Sequence, residues 1–368
     1  MGEPSYPDLT RLYRWPFGVA DNPNVVIEPT TACNLACAHC YRDSANPDKR
    51  RKMMTPDEAR RYIDEALTLR QFHTLSILGG EPLLYPHLDE VVLYARAQGL
   101  AVGLYTNGEL LHKYRARELK TAGVSYVYVH VDRHQGRTDG EAETATLRAH
   151  FCEMFRKLSG MSFGFGIIVH EEDLPELPAL ARFLAANADV VRFVNLSLLG
   201  PCPPQDATTE QLVEEGRRVD AFQRRACEAI RAAFGFEFCS YLGSKFRPEV
   251  PGKLLAVTGY ERGKRAAAMT ALQFGSLSRS YRDEHGRYPY LLSKECTDYF
   301  GARLSEGRAI DWQYVAISLS PLLLDNQRWN VCHHCTDCVL FDHHFVPMCL
   351  LDPLAAGDPL IAQSVRYW

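Results

Sequence analysis

The sequence predicts an α/β fold: a partial (β/α)6 barrel of parallel strands, followed by a C-terminal Cys-rich extension. Two observations lead there. Short runs rich in β-branched and aromatic residues alternate with longer helical patterns over residues 24–234. Such alternation implies a parallel sheet with right-handed crossovers, and six units in series suit a curved, partly closed barrel. In addition, polar or glycine-rich turns follow the ends of the first four strand-like runs. In parallel α/β barrels that rim is where active sites are built.

The elements follow in order. Asn24–Glu28 reads as the first strand and leads directly into a cysteine-bearing loop. Thr55-Pro56-Asp57-Glu58 opens a helix, with Thr55 as N-cap, Pro56 in the first turn and Glu58 closing a capping box. Thr74–Leu78 is the second strand and ends in Gly79-Gly80-Glu81-Pro82. A helix from His87 to Ala97 follows and stops at Gly99. Ala101–Tyr105 is the third strand, ending in Thr106-Asn107-Gly108, and its helix runs from Lys113 to Ala122, stopped by Gly123. Ser125–Val131 is the fourth, ending in Asp132-Arg133. A helix over 142–158, a strand over Phe163–Val169, a helix over Pro175–Ala186 and a strand over Val190–Leu198 complete the pattern. A long helix over 208–233 comes next.

This divides the chain into an N-terminal extension (1–23), the barrel (24–234) and a C-terminal cap and metal-cluster region (235–368). Between about 235 and 324 the barrel pattern lapses. Tyr241, Lys245, Arg247, Tyr260, Arg262, Tyr281, Arg287, Tyr288 and Tyr290 there read as a cap over the barrel mouth, suited to a polar or anionic ligand.

Composition narrows the class. The chain has 368 residues, 46% hydrophobic and 23% charged, enough for a large core. A net charge of −4 without a long basic stripe argues against a nucleic-acid binder. The short run Lys49-Arg50-Arg51-Lys52 reads first as a solvated loop, with a grip on an anionic substrate group near the cysteine loop as the lesser reading. No leader and no bilayer-length apolar run is evident, so a cytoplasmic protein without membrane partners is expected. The twelve cysteines then read as metal ligands or buried thiols rather than disulfides.

Cys33, Cys37 and Cys40 stand within eight residues, in the spacing C-x3-C-x2-C. Thiolates hold iron–sulfur clusters, normally one per iron of a four-iron cube. Three thiolates leave one iron open, and an open position marks a reactive metal site. Structural zinc would need a fourth ligand, and His39 adjoins Cys40 too closely to close a tetrahedron easily.

The Cys33–Cys40 run resembles the signature of the radical S-adenosylmethionine (radical SAM) enzymes. The resemblance implies a [4Fe–4S] cluster on Cys33, Cys37 and Cys40, with SAM on the open iron. His39 stands where the family usually has an aromatic residue beside the adenine. Gly79-Gly80-Glu81-Pro82 resembles the family's GGEP segment, which receives the SAM ammonium. Thr106 and Asn107 resemble the segment that lines the SAM and substrate pocket. Asp132 resembles a polar residue near the SAM carboxylate or ribose. Read without the family, these three segments are a strand-end turn, an Asn-Gly turn and a loop cap.

A second cysteine set lies near the other end: Cys332, Cys335, Cys338 and Cys349, interleaved with His333, His334, His343 and His344. It loosely resembles the SPASM and twitch extensions that hold auxiliary clusters, although the full SPASM spacing C-x2-C-x5-C-x3-C is missing. A second [4Fe–4S] cluster is the leading expectation and zinc the alternative, with Cys338 or Cys296 a spare. Cys152 and Cys227 sit in helical patterns and read as packing residues. Cys202 and Cys239 fall in less regular stretches. The Asn195-Leu196-Ser197 sequon lies in a predicted strand and is discounted.

The implied function is reductive cleavage of SAM to a 5′-deoxyadenosyl radical, which abstracts hydrogen from a small polar substrate. A reductant such as flavodoxin or ferredoxin is the expected partner. A peptide-modifying radical SAM enzyme is the alternative, disfavoured because only 32 residues precede Cys33. A non-catalytic iron–sulfur or zinc protein is the alternative of another class. No catalytic side chain is assigned by the sequence.

Overall fold

A computed structural model describes residues 3–37, 40, 42, 52–158, 160–199, 207–355 and 357–365. After the two-residue strand β1 (Tyr13–Arg14) come six strand–helix units. They are β2 (Asn24–Thr30), α1 (Pro56–Leu69), β3 (Thr74–Gly79), α2 (Leu88–Ala97), β4 (Ala101–Thr106), α3 (Lys113–Ala122), β5 (Val124–His130), α4 (Glu141–Arg156), β6 (Ser162–Val169), α5 (Leu177–Ala186), β7 (Val191–Leu198) and α6 (Thr209–Phe234). The C-terminal region adds β8 (Ser240–Gly243), β9 (Pro251–Glu261), β10 (Lys264–Ala268), α7 (Ala271–His285), α8 (Lys294–Ser305) and β11 (Asp311–Leu319). Further on come β12 (Leu322–Leu323), β13 (Trp329–Asn330), β14 (Cys338–Phe341), β15 (His344–Pro347) and two short helices.

Local signals set these boundaries. Thr55 accepts from the Glu58 amide while Glu58 accepts from the Thr55 amide, the capping box read from sequence. Gly123 ends α3 in the left-handed region, at φ +110°.

Strands β2 to β7 lie side by side in chain order and all parallel. Their outer faces, with Leu75, Ile77, Leu104, Val127 and Val129, share one core with helix residues such as Ile63, Val92 and Leu119. Inner faces carry Tyr105, Tyr126, Tyr128 and Phe193, and the Tyr128 and Phe193 rings stack at 5.5 Å. Gly103 makes room for this interior, since a Cβ there would fall 1.8 Å from Tyr126 Cζ.

The C-terminal region departs from the expected cap over the mouth. Strand β11 pairs in parallel with β7, and β9 pairs antiparallel with β11, so the barrel wall continues beyond the sixth unit. The reason is compositional: β9 is buried at nine of its eleven positions, a run too apolar for an exposed cap. On the other side β14 pairs with β2 through Val339 and Val26. The segment between spans the gap. Cys332 bridges to Ser244, the His333 amide donates to Gly243 O, and Asn22 and Asn24 donate to the carbonyls of His334, Cys335 and Thr336.

The stretch carrying Tyr288 and Tyr290 covers the opposite end of the barrel from the mouth. His73, just before β3, donates from Nε2 to Tyr288 O at 2.8 Å. Burial pushes the His73 imidazole down to about 4 from 6.5, more than its bond to Tyr288 raises it. A depressed folded-state value means the unfolded chain takes the proton first as pH falls. Stability present above pH 6.5 is therefore lost on the way to pH 4, by about 2 kcal/mol at pH 5. Denaturant titrations at pH 7 and 5 should show that loss, and His73→Gln, which keeps a donor for Tyr288 O, should shrink it.

Candidate active site at the C-terminal rim

The loop after β2 is clamped onto the exit of β3. Gly80 N donates to Thr30 O at 2.8 Å and Glu81 N to Ala32 O at 2.7 Å. The contact is close enough to need glycine. A Cβ on Gly80 would lie 2.1 Å from Ala32 O, and one on Gly79 (φ +124°) 2.4 Å from Thr30 O.

Glu81 is fully buried and joins two strand exits. Its carboxylate accepts from Thr106 Oγ1 (2.6 Å), the Asn107 amide (2.7 Å) and the Leu83 amide (3.0 Å). Burial raises its carboxyl, and these three bonds work against the rise. Asn107 passes the network to the cysteine loop. Its Nδ2 donates to Asn34 Oδ1 at 2.8 Å and lies 3.8 Å from Cys33 Sγ. The Leu35 amide donates to the same sulfur at 3.5 Å.

Cys33, Cys37 and Cys40 are all half-buried on this loop. Burial pushes the Cys37 thiol up to about 12, and the charges of Cys40, Asp132 and Cys33 add to the rise. A cation or metal nearby would reverse that preference, because a coordinating thiol is deprotonated. His39 lies outside the described residues.

Asp132, at the exit of β5, is 2% exposed. It accepts from His130 Nε2 (2.5 Å), the His134 amide (2.8 Å) and the Ile168 amide (3.2 Å). Burial acts to raise its carboxyl, but the His130 charge and these bonds outweigh it and hold Asp132 well below the usual range.

Two rim residues were missed in the sequence. His130 precedes Asp132 by two positions, the spacing that puts strand residues on one face. Arg137 had no local signal, yet it donates to the carbonyls of Asn107 (2.7 Å) and His130 (2.8 Å) and to Gln135 and Glu109. Its charge opposes the rise of both Cys37 and Glu81.

The second cysteine set is brought together through Cys335. Cys335 and Cys338 are buried, Cys332 is half-buried and Cys349 exposed. The Cys332 and Cys338 thiols both bond toward Cys335 and hold it well below the usual thiol range. Cys332, Cys335 and Cys349 line one cavity beside Leu319 and Ser320, at the exit of β11. A Cβ on Gly252 would lie 2.7 Å from Cys332 Sγ, another close approach that needs glycine. Cys296 is not among them: it is buried in α8, accepting from the Tyr290 amide.

Among the described residues no group of three or more His, Cys, Asp and Glu side chains is placed to hold a metal ion. The donor chemistry nonetheless fits: each set offers thiols on a loop whose close approach only glycine allows. Cys152, Cys227 and Cys239 are buried packing residues, and Cys202 lies outside the described residues. The loop residues 49–51 do so too. Asn195 lies within β7, its side chain bonded to Ser197 and Ser318.

Fold and site together define a parallel α/β barrel with a cysteine loop and a buried carboxylate on its rim. Residues 27–197, a little under half of the chain, match the model of the Radical SAM superfamily. The family implies a [4Fe–4S] cluster and SAM.

The chain is 30% identical over 176 residues to the Fe-coproporphyrin III synthase of Methanosarcina barkeri, covering 46% of this chain and 42% of the relative. It is 37% identical over 111 residues to the AdoMet-dependent heme synthase of the same organism, covering 30% and 31%. The chain thus spans less than half the length of these curated relatives. Among solved structures, Streptococcus suis SuiB bound to S-adenosylmethionine is similar at 16% identity and a TM-score of 0.40, over 56% of this chain and 48% of that one. No helix among the described residues is long and apolar enough to cross a membrane.

Proposed function

We propose that this chain is an enzyme that cleaves SAM reductively and abstracts a hydrogen atom from a small polar substrate. The observation that carries the reading is the Glu81 network, which locks the cysteine loop to the exits of β3 and β4. When bound, the reduced cluster and SAM supply the electron and the 5′-deoxyadenosyl radical. Cys33, Cys37 and Cys40 would hold the cluster, leaving one iron for SAM. Three of the four or so acceptor positions on the Glu81 carboxylate are filled by the protein, so its larger role is to position Thr106 and Asn107. The Gly79 and Gly80 backbone would border the SAM amine, and Asp132, oriented by His130, its ribose or carboxylate. A lumen lined with aromatic rings would keep water from the reacting atoms.

Anaerobic incubation of reconstituted protein with SAM and dithionite should yield 5′-deoxyadenosine. None from fully loaded protein would overturn the reading. A flavodoxin or ferredoxin is the expected physiological reductant.

Cys332, Cys335, Cys338 and Cys349 would hold a second [4Fe–4S] cluster. Replacing Cys332 and Cys335 by Ala should then lower iron per chain by about half, one of two clusters. Unchanged iron with lost zinc would mean a zinc site instead.

A further inference from the structure

Three features of the barrel interior bear on the substrate, given the proposed radical SAM reaction. The first is a cavity in the lumen of the barrel. Aromatic rings dominate its walls, among them Tyr105, Tyr128, Phe274, Tyr288, Tyr290 and Tyr314. Tyr105 directly precedes Thr106, the Glu81 partner, so the cavity begins one residue below the rim. Offset and edge-on ring contacts make such walls select flat, ring-bearing ligands.

The second feature is charge. Lys253 and Asp337 are the only charged side chains among the described residues lining the cavity, and they pair with each other. The wall is therefore neutral overall. A ligand with net charge would be buried without a counter-charge, which disfavours polyphosphates and molecules with several carboxylates. A single anion reaching Lys253 would leave Asp337 unpaired. A head group with both signs can split the pair and return a partner to each member.

The third feature is Ser278. It is 3% exposed, lines the cavity, and its hydroxyl has no hydrogen-bond partner among the described residues. A buried hydroxyl is costly to leave unpaired, so a ligand that bonds to it gains.

We propose that the lumen binds a zwitterionic aromatic α-amino acid. Its ring lies among the tyrosines, its carboxylate meets Lys253, its ammonium meets Asp337, and a polar atom on the ring pairs with Ser278.

The test is titration calorimetry on the anaerobic, cluster-loaded full chain with SAM and no reductant. L-Tyrosine or L-tryptophan should bind saturably. The matching N-acetyl amide lacks both head-group charges and presents the side chain as a peptide would. It should bind at least about tenfold more weakly, as should the free amino acid to Lys253→Met. Because Lys253→Met strands the half-buried Asp337 carboxylate, Ser278→Ala is the milder second variant. It should weaken the hydroxyl- or indole-bearing amino acid about tenfold and leave L-phenylalanine unchanged.

Equal affinity for the N-acetyl amide overturns the proposal. So does the absence of binding by every aromatic amino acid in a sample that still binds SAM. If that sample forms 5′-deoxyadenosine once reduced, the ligand assignment alone has failed. If it binds the amino acid but never forms 5′-deoxyadenosine, the reaction assignment has failed.

Discussion

Cys37→Ala should reduce 5′-deoxyadenosine formation by more than about 100-fold, because losing a cluster ligand costs more than the 10–100-fold typical of its supporting partners. The expected reason is local. Cys37 sits between Cys33 and Cys40, and the charges of Asp132 and Arg137 both act on it. No neighbouring thiol among the described residues of the loop can replace it. Iron per chain and the yield from SAM and dithionite should fall together. Cys227→Ala is the control: that thiol is buried in α6 and should leave both readouts unchanged. Full activity from Cys37→Ala would refute the assignment of this loop as the cluster site.

Glu81→Gln should have the second largest effect, through architecture. The carboxylate accepts three bonds with no exposed surface. An amide must turn N–H donors toward one of those donors and leave it unsatisfied, at a cost of about 1–3 kcal/mol. Calorimetry should show Tm lower by several degrees, at about 2–4 °C per kcal/mol. SAM affinity should drop at least about tenfold, because Thr106 and Asn107 lose their shared anchor. Thr106→Val removes one donor and should show a smaller loss of both. An unchanged Tm for Glu81→Gln would contradict the network.

The six strand–helix units were legible because their signals are local. Capping boxes, glycine stops and apolar periodicity set each boundary within a few residues, as at Thr55 and Gly123. The rim motifs were legible because each follows a strand directly. The roles of β9 and β11 were not, since an apolar run does not reveal which edge it joins; that choice depends on pairing with β7, over a hundred residues earlier. Arg137 was hidden for a related reason. Its four partners include Asn107 and Glu109, which only the fold brings to it.

The gap-spanning stretch from Cys332 to Val339 has a consequence for synthesis. The sixth barrel strand ends at Leu198, but its neighbour β11 starts at Asp311 and the strand that flanks β2 starts at Cys338. At about 5–20 residues per second, roughly 7–30 seconds separate the two ends of the wall as the chain emerges. During that interval both outer strands offer unpaired edges and the aromatic lumen stands open on one side. A nascent or truncated chain ending near residue 234 should therefore aggregate or recruit chaperones. The late cysteines belong to the stretch whose arrival ends that exposure.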